Sequence, residues 1–186
     1  MSYAILSPFD LSQPNVRGRS DCPLASRGRQ TRTPRGPWET TPTGRRGVAE
    51  DRVVEDLRER MASSAFHGWM GMTLVEARQG EVDLALEAQP HHLNLQGLLH
   101  GGVLATLADT AAGLAVRTKL EPGRRHVTIQ LGVQYLSAGG SGRIVARGRT
   151  IRVGRQIAHA EAEIHDANGR LLATAQATVA IMAARD

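Results

Sequence analysis

The chain has 186 residues, 41% of them apolar and 22% charged, which is the make-up of a soluble globular protein with room for one ordinary domain plus a tail. Its formal charge of +5 is concentrated: residues 1–47 hold eight arginines against Asp10, Asp21 and Glu39, so residues 48–186 carry 15 basic and 15 acidic groups and leave no electrostatic footprint for nucleic acid. A single cysteine, Cys22, excludes a disulfide framework or a thiolate metal site within one chain, and no run reaches the roughly 18 apolar residues that cross a bilayer.

Residues 1–47 mix Pro, Gly, Ser, Thr and Arg with few aliphatics and no periodicity, so they cannot bury enough surface to offset their chain entropy. They are expected to form a disordered tail ahead of a domain spanning 48–186. The N-terminus lacks the charged, apolar and small-residue order of a signal peptide, which with the cysteine usage predicts a cytoplasmic protein without membrane segments.

Near Glu50 the pattern changes, and Val53, Val54, Leu57 and Met61 mark one stripe of a short helix. Residues 63–69 read as a loop. Met72–Ala77 and Glu81–Ala88 flank Gln79-Gly80 as a hairpin, the second strand alternating Val82, Leu84 and Leu86 with charged neighbours. A long apolar helix is predicted from Gly101 to about Thr118. The period then returns to two: Thr128–Leu136 places Ile129, Leu131, Val133 and Tyr135 on one side, Arg143–Val153 follows, and Gln156–His165 and Arg170–Met182 are joined by Asn168-Gly169, a strong hairpin signal. The last pair carries an alanine-rich face, which lets a helix approach closely. The expected class is therefore α+β, with two strands, a buried helix and a four-stranded meander whose sheet wraps the helix.

One charge interrupts the helix. From Val103 to Val116 only Asp109 is ionisable, and a carboxylate in such surroundings needs compensation or has a chemical use. At the helix start, His100-Gly101-Gly102 offers main-chain N–H groups that lack intrahelical acceptors, where the helix dipole favours negative charge. That is an oxyanion-hole arrangement, although a tight glycine entry to the helix explains the same residues. Asp109 lies eight residues beyond Gly101, about 12 Å along the axis, so the two cannot share a reacting atom in one chain. If they act together, Asp109 meets the helix start of a second chain, which predicts a dimer with two equivalent interface sites. A carboxylate hydrogen-bonded to Thr106, Thr110 or a neighbouring strand is the bland alternative. His91-His92 reads as loop surface rather than a metal site, since no third ligand accompanies the pair, and His126, His159 and His165 fall at strand ends or on polar strand faces.

Asn94-x-x-Gly97-x-x-His100-Gly101-Gly102 followed by Leu107-Ala108-Asp109 resembles the hotdog-fold acyl-CoA thioesterases of the phenylacetic-acid-degradation (PaaI-like) type, from about residue 50 to the C-terminus. The resemblance also runs through Thr128–Leu136, Val153-Gly154-Arg155 and Gly169–Ala175. It implies a hotdog fold: a long central helix wrapped by a curved antiparallel sheet of five to six strands, paired into homodimers with shared sites and commonly into homotetramers. It implies hydrolysis of acyl-CoA to acid and CoA, with Asp109 as general base or nucleophile and Gly101 as the donor to the thioester oxygen. Asn94 and His100 would position water and the carbonyl, and Thr128 would supply a hydroxyl beside the water. Gly102, Ser137, Gly154 and Arg155 would contact substrate, with Arg152 or Arg149 as alternatives for the CoA phosphates. No metal or redox cofactor is implied. Two other functions fit a hotdog domain, an enoyl-CoA hydratase or dehydratase using His100, and a non-enzymatic acyl-CoA-binding module. The first lacks its His-plus-acid motif, and the second lacks a helix-turn-helix in residues 1–47.

Overall fold

A computed structural model describes the backbone of residues 48–183 and the side chains of 52–183, so the expected tail and Cys22 lie outside the described residues. Helix α1 (Val48–Ser63) buries Val54, Leu57 and Met61 of the stripe its sequence predicts, leaves Val53 half-buried, and packs on strand β1. The expected loop after it is instead a short helix, α2 (Ala65–Met70). Ser64 caps it by accepting the N–H of His67, and Gly71 ends it in the left-handed conformation at φ 66°. Six residues without an apolar stripe carry no periodic signal, which is why the pattern alone missed this turn and a half.

The first hairpin, β1 (Met72–Arg78) and β2 (Glu81–Ala88), turns at Gly80 with φ 87°. After a 3₁₀ turn at Pro90–His92, helix α3 (Gly101–Arg117) runs unbroken and is followed by β3 (Arg125–Tyr135), β4 (Gly142–Val153), β5 (Ile157–Asp166) and β6 (Leu171–Met182). All pairings are antiparallel, in the order β1-β2-β4-β5-β6-β3. The last four strands are therefore not a simple meander. β3 leaves the helix to form the far edge against β6, and the chain crosses back to insert β4 beside β2. A tight turn would have made β3 and β4 neighbours, but residues 136–141 form a longer connection that lets β4 pair elsewhere.

Helix and sheet approach closely because both contacting faces are built from small residues. Ala108, Ala111, Ala112 and Ala115 of α3 meet a face formed by Ala146, Ala158, Ala160, Ala162, Ala175 and Ala177, all buried. At Gly148 the approach reaches its limit, since a Cβ there would overlap the backbone carbonyl of Ala111. Among the described residues no helix is long and apolar enough to cross a membrane.

The register of β3 departs from simple alternation. His126 pairs with Ile181 and Thr128 with Val179, Ile129 is an extra residue, and Gln130 resumes opposite Thr178. This bulge reverses parity. His126 and Thr128 share the helix-facing side with Leu131, Val133 and Tyr135, whereas Ile129, expected on that side, is 58% exposed. His126, expected at a strand end or on a polar face, thus turns toward α3.

Candidate active site

The entry to α3 is built by His100. Its backbone is extended at φ −66°, ψ 133°, and its Nδ1 accepts the N–H of Gly102 at 2.8 Å, which makes His100 the N-cap. A Cβ on Gly102 would lie 2.9 Å from that nitrogen, so the cap requires glycine. The His100 carbonyl accepts the N–H of Val103 at 2.9 Å and of Leu104 at 3.4 Å. Among the described residues the Gly101 N–H has no acceptor, and it points out of the positive end of the helix dipole. Tyr135 lies against Gly101, its ring 3.3 Å from where a Cβ would project and its hydroxyl donating to the Gly101 carbonyl at 3.1 Å. In the sequence, period-two alternation marks Tyr135 only as an apolar strand residue.

Asn94 closes the loop that delivers His100. Its Oδ1 accepts the N–H groups of Gln96 at 2.9 Å and Leu98 at 3.1 Å, and Gly97 completes the turn at φ 74°. The side-chain oxygen is therefore committed to the loop, and the side-chain NH₂ is what Asn94 has to offer a substrate. His92, expected on a loop surface, is only 1% exposed: its Nδ1 accepts the Gln89 N–H at 3.0 Å, and its carbonyl accepts the N–H of His100. His91 is exposed and lies between His92 and Trp69, with both rings tilted against it. Among the described residues no group of three His, Cys, Asp or Glu side chains is placed to hold a metal ion.

Asp109 sits on a half-buried stripe of α3 with Ala105, Thr106 and Thr110, rather than in the fully buried core its apolar neighbours suggested. Its Oδ1 is buried without a hydrogen-bond partner among the described residues. The bland alternative for Asp109 loses one candidate, since the Thr106 hydroxyl donates to the Gly102 carbonyl at 2.8 Å. Thr128, on the helix-facing side of β3, is half-buried. Because α3 is continuous, Asp109 and Gly101 remain about 12 Å apart along its axis.

The expected substrate contacts fall at two separate ends. Ser137 lies at the Gly101 end of β3, its N–H bonded to the Leu172 carbonyl at 3.1 Å. Gly154 and exposed Arg155 form the β4–β5 turn at the opposite end, where Arg124 donates to the Arg155 carbonyl at 3.0 Å. One chain does not bring these groups together. Arg149 is engaged with Glu161, whereas Arg152 lies exposed on the outer face opposite His159.

A helix laid across an antiparallel sheet of this order, with a glycine-rich entry and an internal carboxylate, defines a hotdog-type domain. Residues 96–173 match the thioesterase superfamily. Over 131 residues, 61% of this chain and 83% of its counterpart, the sequence is 32% identical to the medium/long-chain acyl-CoA thioesterase YigI of Escherichia coli K12. The structure resembles a thioesterase protein of Streptococcus pneumoniae TIGR4 crystallised with coenzyme A, at TM-score 0.61 and 26% identity, covering 69% of this chain and 98% of that one. The E. coli PaaI protein of the phenylacetic acid degradation operon shares the fold at TM-score 0.68 and 19% identity, covering 73% and 97% of the two chains. The chain belongs to the thioesterase superfamily, with the hotdog fold, and is a thioester hydrolase.

Proposed function

We propose that this protein is a cytoplasmic acyl-CoA thioesterase whose sites are completed across a homodimer, commonly assembled further into a homotetramer, with Asp109 of one subunit facing Gly101 and Asn94 of the other. The observation that carries this reading is the separation of the two chemical groups along one straight helix: a free main-chain donor at its start and a half-buried carboxylate two turns on. The half-buried stripe through Ala105, Thr106, Asp109 and Thr110 is the surface through which two such helices pair in opposite senses.

In the proposed reaction Asp109 takes a proton from water as the water oxygen bonds to the thioester carbon. Negative charge then develops on the former carbonyl oxygen, where the Gly101 N–H and the helix dipole stabilise it. Collapse of the adduct breaks the C–S bond. Because a thiol has a pKa of about 8.5, the CoA thiolate departs without a strong general acid. Direct attack by the Asp109 carboxylate is the variant of this step in which an anhydride forms first. Thr128 and the Asn94 NH₂ flank the water, and the free Nε2 side of His100 faces the carbonyl. Arg155 and Gly154 of one chain and Ser137 of the other serve the CoA moiety, since pairing with opposed helices brings opposite strand ends together. The name of the YigI relative supports a medium or long acyl chain. We place the catalytic unit within residues 48–186, with residues 1–47 as a tail.

The test is release of CoA from acyl-CoAs of graded chain length by the parent protein and by Asp109→Asn. The variant is expected to lose ~10²- to 10⁴-fold in kcat/KM with an unchanged thermal midpoint. Equal rates would remove Asp109 from the mechanism.

A further inference from the structure

His126 has no part in the chemistry above, yet the β3 bulge turns it toward the helix. Its Nε2 lies 3.6 Å and its Cδ2 3.9 Å from where a Cβ of Gly113 would project, so the ring rests over a glycine of α3. Gly113 is four residues beyond Asp109, on the same helical face and one turn away. Thr128, two residues along β3, shares the face on which His126 sits. The imidazole, the Thr128 hydroxyl and the buried, unpartnered Oδ1 of Asp109 therefore converge on one side of the helix.

The charged groups around the ring are few and identifiable. Arg117, one turn beyond Gly113, is anchored by Asp56 of α1 at 3.6 Å and by the Arg124 carbonyl at 3.3 Å, and Arg60 of α1 binds the same Asp56. Burial pushes His126 below the usual histidine range, and the charges of Arg117 and Arg60 push the same way, while Asp109 alone pulls it up. Near neutral pH the ring is uncharged, with one N–H to donate and one lone pair.

We propose that His126 is a positioning residue for Asp109: with Thr128 it holds a water bridged to the inner carboxylate oxygen and so leaves the other oxygen free to face the substrate water. Such a water has the polar partners it requires in Asp109, His126 and Thr128. The inference rests on the reading of Asp109 as the catalytic acid. It adds a residue that restrains that acid from the C-terminal half of the helix, far from the glycine entry.

Two measurements test it on the full-length protein. In steady-state hydrolysis of a long-chain acyl-CoA, His126→Ala is expected to lose about tenfold in kcat with KM within about twofold, because a misdirected carboxylate affects turnover rather than binding. His126→Gln, which keeps an N–H donor but cannot titrate, is expected to retain most of kcat near neutral pH and to show a shallower acid limb than the parent. In the Asp109→Asn background, His126→Ala is expected to cause no further loss. The second readout is the NMR titration of the His126 ring, whose midpoint is expected to fall in Asp109→Asn, since the one charge that raises it is gone. A full kcat in His126→Ala, an effect on KM alone, an equal loss in both backgrounds, or an unmoved titration would each overturn the proposal. Loss in Asp109→Asn with none in His126→Ala would reject His126 while leaving the thioesterase mechanism standing. Full activity in Asp109→Asn would reject both.

Discussion

Four histidines, at 67, 92, 126 and 165, are pushed below their usual range with burial as the first cause. The consequence for stability has a definite sign. Each binds a proton more weakly in the folded chain than in the unfolded one, whose value is about 6.5. The unfolded state therefore takes up more protons as pH falls, and the contribution to stability is intact above that value and lost as pH drops through it toward the folded values. His92 is the least exposed of the four, and its Nδ1 holds the Gln89 N–H in place. The thermal midpoint is expected to fall between pH 7 and pH 5, and His92→Asn, which keeps an acceptor without titrating, is expected to flatten part of that decline. Differential scanning calorimetry across this range checks it. A midpoint that rises on acidification would contradict the assignment of these rings as buried and uncharged. The burial of His92 was not legible in the sequence, because it depends on the 3₁₀ turn at Pro90–His92 and on Met70 and His100, which meet it only in the fold.

At the level of elements, the parts written in local chemistry were legible: the Gln79-Gly80 and Asn168-Gly169 turns, the stripe of α1, and the alanine faces that let α3 settle on the sheet. Strand order was not. Nothing local to residues 125–135 distinguishes a strand that pairs with β4 from one that pairs with β6, and the bulge at Ile129 is invisible to a period-two count. Those two features bring Thr128 and His126 to the helix. The same applies to Tyr135, whose contact with Gly101 joins the end of β3 to the start of α3. Contact between α3 and β4 gives a direct test of the close packing. Gly148→Ala places a methyl group into the Ala111 carbonyl, and since backbone rather than a flexible side chain must yield, a loss of roughly 1–3 kcal/mol is expected by chemical denaturation. An unchanged midpoint would mean that helix and strand are not held at this distance.

For the whole molecule, the proposed site makes catalysis a property of pairs of chains. Asp109→Asn removes the acid, and Gly101→Val covers the donor and collides with Tyr135, so each variant is expected to be inactive alone. Refolded together, they form mixed dimers in which one site draws both intact groups from different subunits. With random pairing the activity regained is about one quarter of the parent's. An enzyme that places both groups in one chain would regain nothing on mixing, and size-exclusion chromatography of each variant separates that outcome from a failure to dimerise.

The extra residue at position 129 also bears on how relatives of this protein are compared. Because the ladder passes directly from Thr128–Val179 to Gln130–Thr178, a chain that lacked residue 129 would alternate regularly and keep the side chains at 126 and 128 against the helix, whereas a chain of the present length without the bulge would keep Leu131, Val133 and Tyr135 there and turn 126 and 128 away. The hydroxyl at position 128 thus faces the helix that carries Asp109 by virtue of a bulge and not only of an identity. Flattening the bulge at constant length would retire two polar groups from the proposed site without changing either of them.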